Sequence, residues 1–140
     1  MKTKFMLLAA TVALSGCNST DNIPNPSPEQ EKAAQLAYDD LRDGKYEEFL
    51  DQLEPQLQTQ FKDNEKLMKR FSRSIPQGEY KSKTLMTKQI EEATATQPGQ
   101  YKISYEIAHP NNLVQYDVSF DQPNGSNKIR NFNIQVFGES

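Results

Sequence analysis

Two hydrophobic periods divide this chain. From Ala33 to Phe71 apolar residues recur every third or fourth position, the repeat of helices with one buried stripe. From Tyr80 to Val136 they recur every second position, the repeat of strands with one buried face. Ser27-Pro28-Glu29-Gln30 opens the helical half. Ser27 is a capping residue, Pro28 suits the first helical position, and Gln30 completes a capping box. Ala33, Ala34, Ala37, Tyr38 and Leu41 follow at helical spacing, and Gly44 stops the helix. Tyr46, Phe49, Leu50 and Leu53 predict a short second helix before Pro55. A third helix is predicted from Pro55 to Ser74, with Leu57, Phe61, Met68 and Phe71 near one face, ended by Ile75-Pro76-Gln77-Gly78.

Four strands follow. Tyr80, Ser82, Thr84, Met86 and Ile90 alternate with Lys81, Lys83, Thr87 and Gln89. Tyr101, Ile103, Tyr105 and Ile107 alternate with Lys102, Ser104 and Glu106. Val114, Tyr116, Val118 and Phe120 alternate with Gln115, Asp117 and Ser119. Phe132, Ile134 and Val136 alternate with Asn131, Asn133 and Gln135. Turns are expected at Gln97-Pro98-Gly99-Gln100, His109-Pro110-Asn111-Asn112 and Pro123-Asn124-Gly125-Ser126. Strands of this kind form an antiparallel sheet that is packed on one side and wet on the other. The fold class expected is α+β, with N-terminal helices packed on a four-stranded antiparallel meander.

The first residues follow neither period. Lys2 and Lys4 precede an apolar run, Phe5 to Leu14, which has the length of a secretory signal core and is too short to span a bilayer. Cys17 is the only cysteine, so no intramolecular disulfide forms, and a lone thiol in an exported chain needs a reason. Leu14-Ser15-Gly16-Cys17 resembles the bacterial lipobox. The resemblance implies cleavage between Gly16 and Cys17, diacylglycerol on the Cys17 sulfur and acylation of the new amine. Residues 1–16 are then a lipoprotein signal peptide, 17–27 a lipidated cysteine with a flexible Pro/Asn/Ser tether, and 28–140 a single domain. Asn18, rather than Asp, after the cysteine resembles the sorting pattern for the outer membrane, and implies a domain facing the periplasm.

Charge narrows the partners. The chain has a net charge of −3 at pH 7, and loss of Lys2 and Lys4 with the signal makes it more acidic. An acidic chain with scattered lysines offers no surface for neutralising a phosphate backbone, so nucleic acid is not an expected partner. The run Asp39, Asp40, Asp43, Glu47, Glu48, Asp51 and Glu54 reads most simply as a solvated helix surface. One histidine, with the only cysteine committed to lipid, makes a poor zinc set, and Gly-rich phosphate loops and G-x-S-x-G are absent. No metal, cofactor or catalytic residue is expected.

The order of helices then meander, with Leu41-Arg42-Asp43-Gly44-Lys45-Tyr46-Glu47-Glu48-Phe49-Leu50 at a helix junction, is similar to small NTF2-like and cystatin-like domains of bacterial lipoproteins. That resemblance implies a pocket between sheet and helices in some members. Tyr80, Tyr101, Tyr105 and Tyr116, on the apolar strand faces, are the residues that would line it, although large core residues with hydroxyls at the sheet rim are the simpler reading. His109 is expected at an exposed hairpin tip and Asp117 on the wet face. The function expected is a membrane-anchored envelope lipoprotein whose domain binds a protein partner or small ligand without catalysis. The alternatives are an enzymatic or small-molecule-binding domain using the tyrosines, and an assembly helper of a secretion or conjugation machine. Oligomeric state is not determined by the sequence.

Overall fold

A computed structural model describes residues 22–138; the expectations for the signal segment, Gly16 and Cys17 fall outside them. The chain forms α1 (Pro28–Arg42), α2 (Tyr46–Asp51), α3 (Pro55–Lys62) and α4 (Glu65–Ser74). Four strands follow: β1 (Ser82–Glu91), β2 (Gln100–Ala108), β3 (Asn112–Phe120) and β4 (Asn131–Gly138). The sheet has the order β1-β2-β3-β4, with every neighbouring pair antiparallel. This is the expected α+β arrangement of helices and meander.

α1 starts where its capping box places it. The Ser27 hydroxyl accepts from the Gln30 amide at 3.1 Å, and the Gln30 side-chain oxygen accepts from the Ser27 amide at 3.1 Å. Gln30 does more than cap. Its side-chain nitrogen donates to the carbonyls of Gln122 (2.9 Å) and Ser126 (3.1 Å), and its oxygen also accepts from the Asn124 amide (3.3 Å). With both donors and both acceptor positions filled, this fully buried amide ties the start of α1 to the long β3–β4 connection.

The predicted third helix divides into two. Asp63 and Asn64 interrupt it, and the Asn64 side chain accepts from the Leu67 amide at 3.2 Å, capping α4 afresh. An Asp-Asn pair competes with the helix for its own backbone groups, and the break lets Phe61 and Phe71 turn toward each other. Both rings meet Phe132 of β4, at 5.3 and 5.2 Å between centroids, and Phe49 of α2 joins at 5.4 Å.

On β2, β3 and β4 the period-two pattern fixes the faces as expected. Ile103, Tyr105, Val118 and Ile134 are buried, Phe132 packs against the core, and Gln115 and Asn133 are exposed. Ile103 pairs with Val118, Tyr105 with Tyr116, and Tyr116 with Ile134, so one apolar face runs across the three strands. On β1 the expectation is reversed at its start. Lys83 pairs with Ile107 and Leu85 with Tyr105, facing the helices, while Thr84 pairs with Glu106 and faces outward. A bulge between Leu85 and Thr87 shifts the register, and Met86 is left 53% exposed. β1 is an edge strand, so its inward positions are only half covered. Lys83 fills one with its aliphatic stem while its ammonium lies 4.8 Å from the Tyr105 ring centroid.

Residues 22–27, expected as part of a flexible tether, pack on the domain. Ile23 packs against the core, Pro26 and Ser27 are buried, the Pro24 carbonyl accepts from the Tyr101 hydroxyl at 2.5 Å, and Asn25 accepts from Lys88 at 2.9 Å. Residues 22–27 therefore belong to the domain, whose described core lies wholly between Ile23 and Val136.

The Tyr116 hydroxyl donates to the Ala34 carbonyl at 2.8 Å, holding α1 to the sheet. Tyr116→Phe is expected to cost about 1 kcal/mol, because Ala34 keeps its helical bond. Gln30→Leu, which strands several groups at once, should cost about 2–3 kcal/mol. Urea unfolding measures both, and an unchanged m-value would show that neither alters the compactness of the end states.

Candidate functional site

The four tyrosines named from the strand pattern do not share one cavity. Tyr101, Tyr105 and Tyr116 are 0%, 1% and 1% exposed and fill the space between sheet and helices. Tyr101 and Tyr116 spend their hydroxyls on the Pro24 and Ala34 carbonyls, and the Tyr105 hydroxyl is buried without a partner among the described residues. Burial raises all three phenol pKa values, that of Tyr101 to about 12, so none is a phenolate at neutral pH. Their packing is that of core residues. Tyr80 stands apart at the other end of the sheet, half buried against Tyr38.

That end holds the largest departure from expectation. His109 is 5% exposed, not a solvent-facing turn residue. Its amide donates to the Asn112 carbonyl at 2.8 Å, closing the β2–β3 hairpin around Pro110 and Asn111. Its side chain continues the Tyr101, Ile103, Tyr105, Ile107 alternation by one step, onto the apolar face. That spacing was readable in the sequence; the turn-forming Pro and Asn residues outweighed it. The Tyr38 hydroxyl lies 2.9 Å from His109 Nε2, the Tyr80 ring meets the imidazole edge-to-face at 5.8 Å, and Nδ1 is buried with no partner among the described residues. Desolvation first, and the Arg42 cation second, push the imidazole pKa down. Asp39, beside Arg42 at 3.6 Å, has its carboxyl pKa raised, chiefly by burial. The Tyr80 phenol pKa is likewise raised, by burial and then by Asp39. A neutral imidazole with one nitrogen on a tyrosine and no carboxylate on the other lacks the orienter of a working base, and its burial shuts substrate out.

A groove of about 630 Å³ runs among α2, α3 and α4 and one of about 370 Å³ lies beside Arg130, and two further concavities lie on the open side of the sheet. One, of about 410 Å³, is lined by Thr87, Gln89, Gln100, Lys102, Ser104, Gln115, Asp117, Ser119, Asn131 and Asn133, with backbone from the strands between. Asp117 faces it, as strand alternation predicts, and accepts from the Ser104 hydroxyl at 2.5 Å and from the Gln115 amide at 3.1 Å. Ser119 is 3% exposed and its hydroxyl has no partner among the described residues. A second concavity, of about 290 Å³, is bordered by Met86, Leu113 and Phe137, which are 53%, 45% and 52% exposed. Leu113 and Phe137 are direct cross-strand partners. Sequence reasoning missed this apolar cluster. Leu113 and Phe137 sit at strand ends, outside the alternating runs, and the alternation of β1 predicts Met86 inward. Among the described residues there is no cluster of metal-ligating side chains and no helix long and apolar enough to cross a membrane.

No protein family, no curated protein and no solved structure matches this chain.

Because the His109 pKa lies below its unfolded value of about 6.5, its neutral form stabilises the fold at neutral pH, and that contribution falls away as pH drops from about 6.5 through the depressed folded value. Asp39 acts in the opposite sense, adding stability as pH falls through its raised folded value toward the ordinary carboxylate value. Denaturation of the wild type and of His109→Gln at a series of pH values should show a steeper loss between neutral pH and about pH 5 in the wild type. Parallel curves would mean that the imidazole titrates normally.

Proposed function

We propose that this chain is a bacterial envelope lipoprotein, held to a membrane by acyl chains on Cys17, whose domain binds a partner protein through the open face of its sheet. The observation that carries the binding reading is the exposed Met86, Leu113 and Phe137 cluster on the face that the helices leave uncovered. Exposed apolar residues gathered on one face, beside a polar concavity, are the usual composition of a protein-binding patch. The anchor is supported by Leu14-Ser15-Gly16-Cys17 behind its apolar run. Two or three acyl chains, at about 0.8 kcal/mol per buried methylene, make attachment effectively permanent. Asn18 supports the outer membrane, with the domain in the periplasm. The helices-then-meander order supports a small NTF2-like or cystatin-like domain.

A small polar ligand is the second reading, favoured by the unpartnered Ser119 hydroxyl in the amide-lined concavity. The enzymatic alternative loses its tyrosine-lined site to core packing.

Mass spectrometry of the membrane-extracted protein should find an acylated Cys17 at the mature N-terminus, and Cys17→Ser should abolish both acylation and processing. An unmodified thiol, or cleavage elsewhere, sinks the anchor. For the domain, a photo-crosslinking residue placed at 113 or 137 in living cells should give a discrete adduct with a second protein, while one at exposed Glu29 should not. The same yield from all three positions would remove the open sheet face as the binding surface.

A further inference from the structure

The charge of this acidic protein is not evenly spread. α4 carries Lys66, Lys69, Arg70 and Arg73, all exposed. At 3.6 residues per turn these four fall within an arc of about 100°. They lie directly opposite Leu67, Met68, Phe71 and Ser72, which hold the helix to the domain. The cations therefore lie on the exposed side of the helix, with Lys69 at its margin. None of them belongs to an ion pair among the described residues. Lys69 borders a groove that also holds Glu47, Asp51, Lys62 and, one turn before it on α4, Glu65; the other three do not. Elsewhere α1 and α2 are rich in Asp and Glu, and the whole chain is at −3, so this face is a local reversal of the protein's field. The cations spread along a convex helix and do not converge, which suits an extended anionic surface better than a single phosphate.

The position of the chain's N-terminal segment selects the surface. Residues 22–27 pack on the helix-covered side of the sheet, through Ile23 and the Pro24 bond to Tyr101, and α4 lies on that same side. From Cys17 to Asn22 the backbone reaches at most about 18 Å. A lipid on Cys17 would thus keep the domain within about 18 Å of the headgroups, roughly two screening lengths at physiological salt, so that a modest approach brings the cations into the surface field.

The geometry points to α4 as a membrane-docking helix, whose four cations lie on an anionic bilayer and turn the open sheet face away from it. This rests on the lipoprotein reading for its biological setting, but the contact itself is electrostatic and does not need the acyl chains. A lipid anchor joined to a basic surface is a two-signal attachment, in which each Lys or Arg near the surface strengthens binding about fivefold.

The test uses a chain beginning at Asn18, which carries the complete described core and no lipid or signal. It should sediment with vesicles containing phosphatidylglycerol at low salt, and not with pure phosphatidylcholine vesicles. Binding should vanish at high salt. Lys66→Gln/Lys69→Gln/Arg70→Gln/Arg73→Gln should weaken it by two orders of magnitude or more while leaving the melting curve unchanged, because glutamine keeps the helix and the face is exposed. Arg70→Lys/Arg73→Lys should bind as the parent does. No binding to the anionic vesicles, or equal binding by the quadruple variant, overturns the proposal whatever is found at Cys17. Binding to soluble polyphosphate but not to vesicles also overturns it, by assigning the face to another anion. An unmodified Cys17 with vesicle binding intact would remove the anchor and leave this contact standing.

Discussion

The close approach of α1 to the middle of the sheet is the constraint on which the domain depends. Ala33, Ala34 and Ala37 present a flat surface, so the helix backbone comes near enough for the Tyr116 hydroxyl to reach the Ala34 carbonyl. A larger residue at any of these positions would lift the helix and strand a buried phenol. The same closeness puts Tyr38 over Tyr116, 5.1 Å between centroids, and its hydroxyl on His109. Gln30 at one end and Ser72, whose hydroxyl donates to the Leu41 carbonyl at 2.7 Å, at the other fix the helix lengthwise. The sheet is thus aligned by a few polar bonds within an apolar layer, which is how a core of interchangeable contacts acquires one arrangement.

The layering was legible in the sequence because a period of two or of 3.6 is a statement about faces. Ile103, Val118 and Ile134 follow from it directly, and so do Ser27 and Gly44 as punctuation. Where it failed, a residue's side was set by something other than its neighbours. Lys83 faces inward because β1 has no neighbour beyond it and a bulge at Met86 re-phases the strand. His109 is buried because Tyr38 and Tyr80, far away in sequence, cover it. Pro26 is buried although its surroundings read as a linker, and the Tyr101 hydroxyl fastens the segment just before it through the Pro24 carbonyl. The exposed Leu113 and Phe137 were equally hidden, since only strand pairing brings them side by side.

The two sides of the sheet are chemically separate. The helix side carries the chain's entry, the aromatic core and the cationic α4. The other side carries amides, hydroxyls and a small apolar cluster, and its two charged side chains in the larger concavity are both engaged. Lys102 pairs with Glu91 at 3.2 Å, and Asp117 is held by Ser104 and Gln115. That face offers hydrogen bonds and apolar contact, with the carboxylates of Glu91, Glu106 and Asp117 set against the Lys102 ammonium.

The docked segment at residues 22–27 also decides how the domain bears mechanical load. A pull on the N-terminus meets the sheet before it meets the free end of α1. It arrives at Pro24 and Asn25, and passes through the Tyr101 hydroxyl and the Lys88 ammonium into β2 and β1. β2 is an interior strand, bonded along its length on both sides, so the chain's entry is fastened to the best-supported part of the sheet as well as to α1.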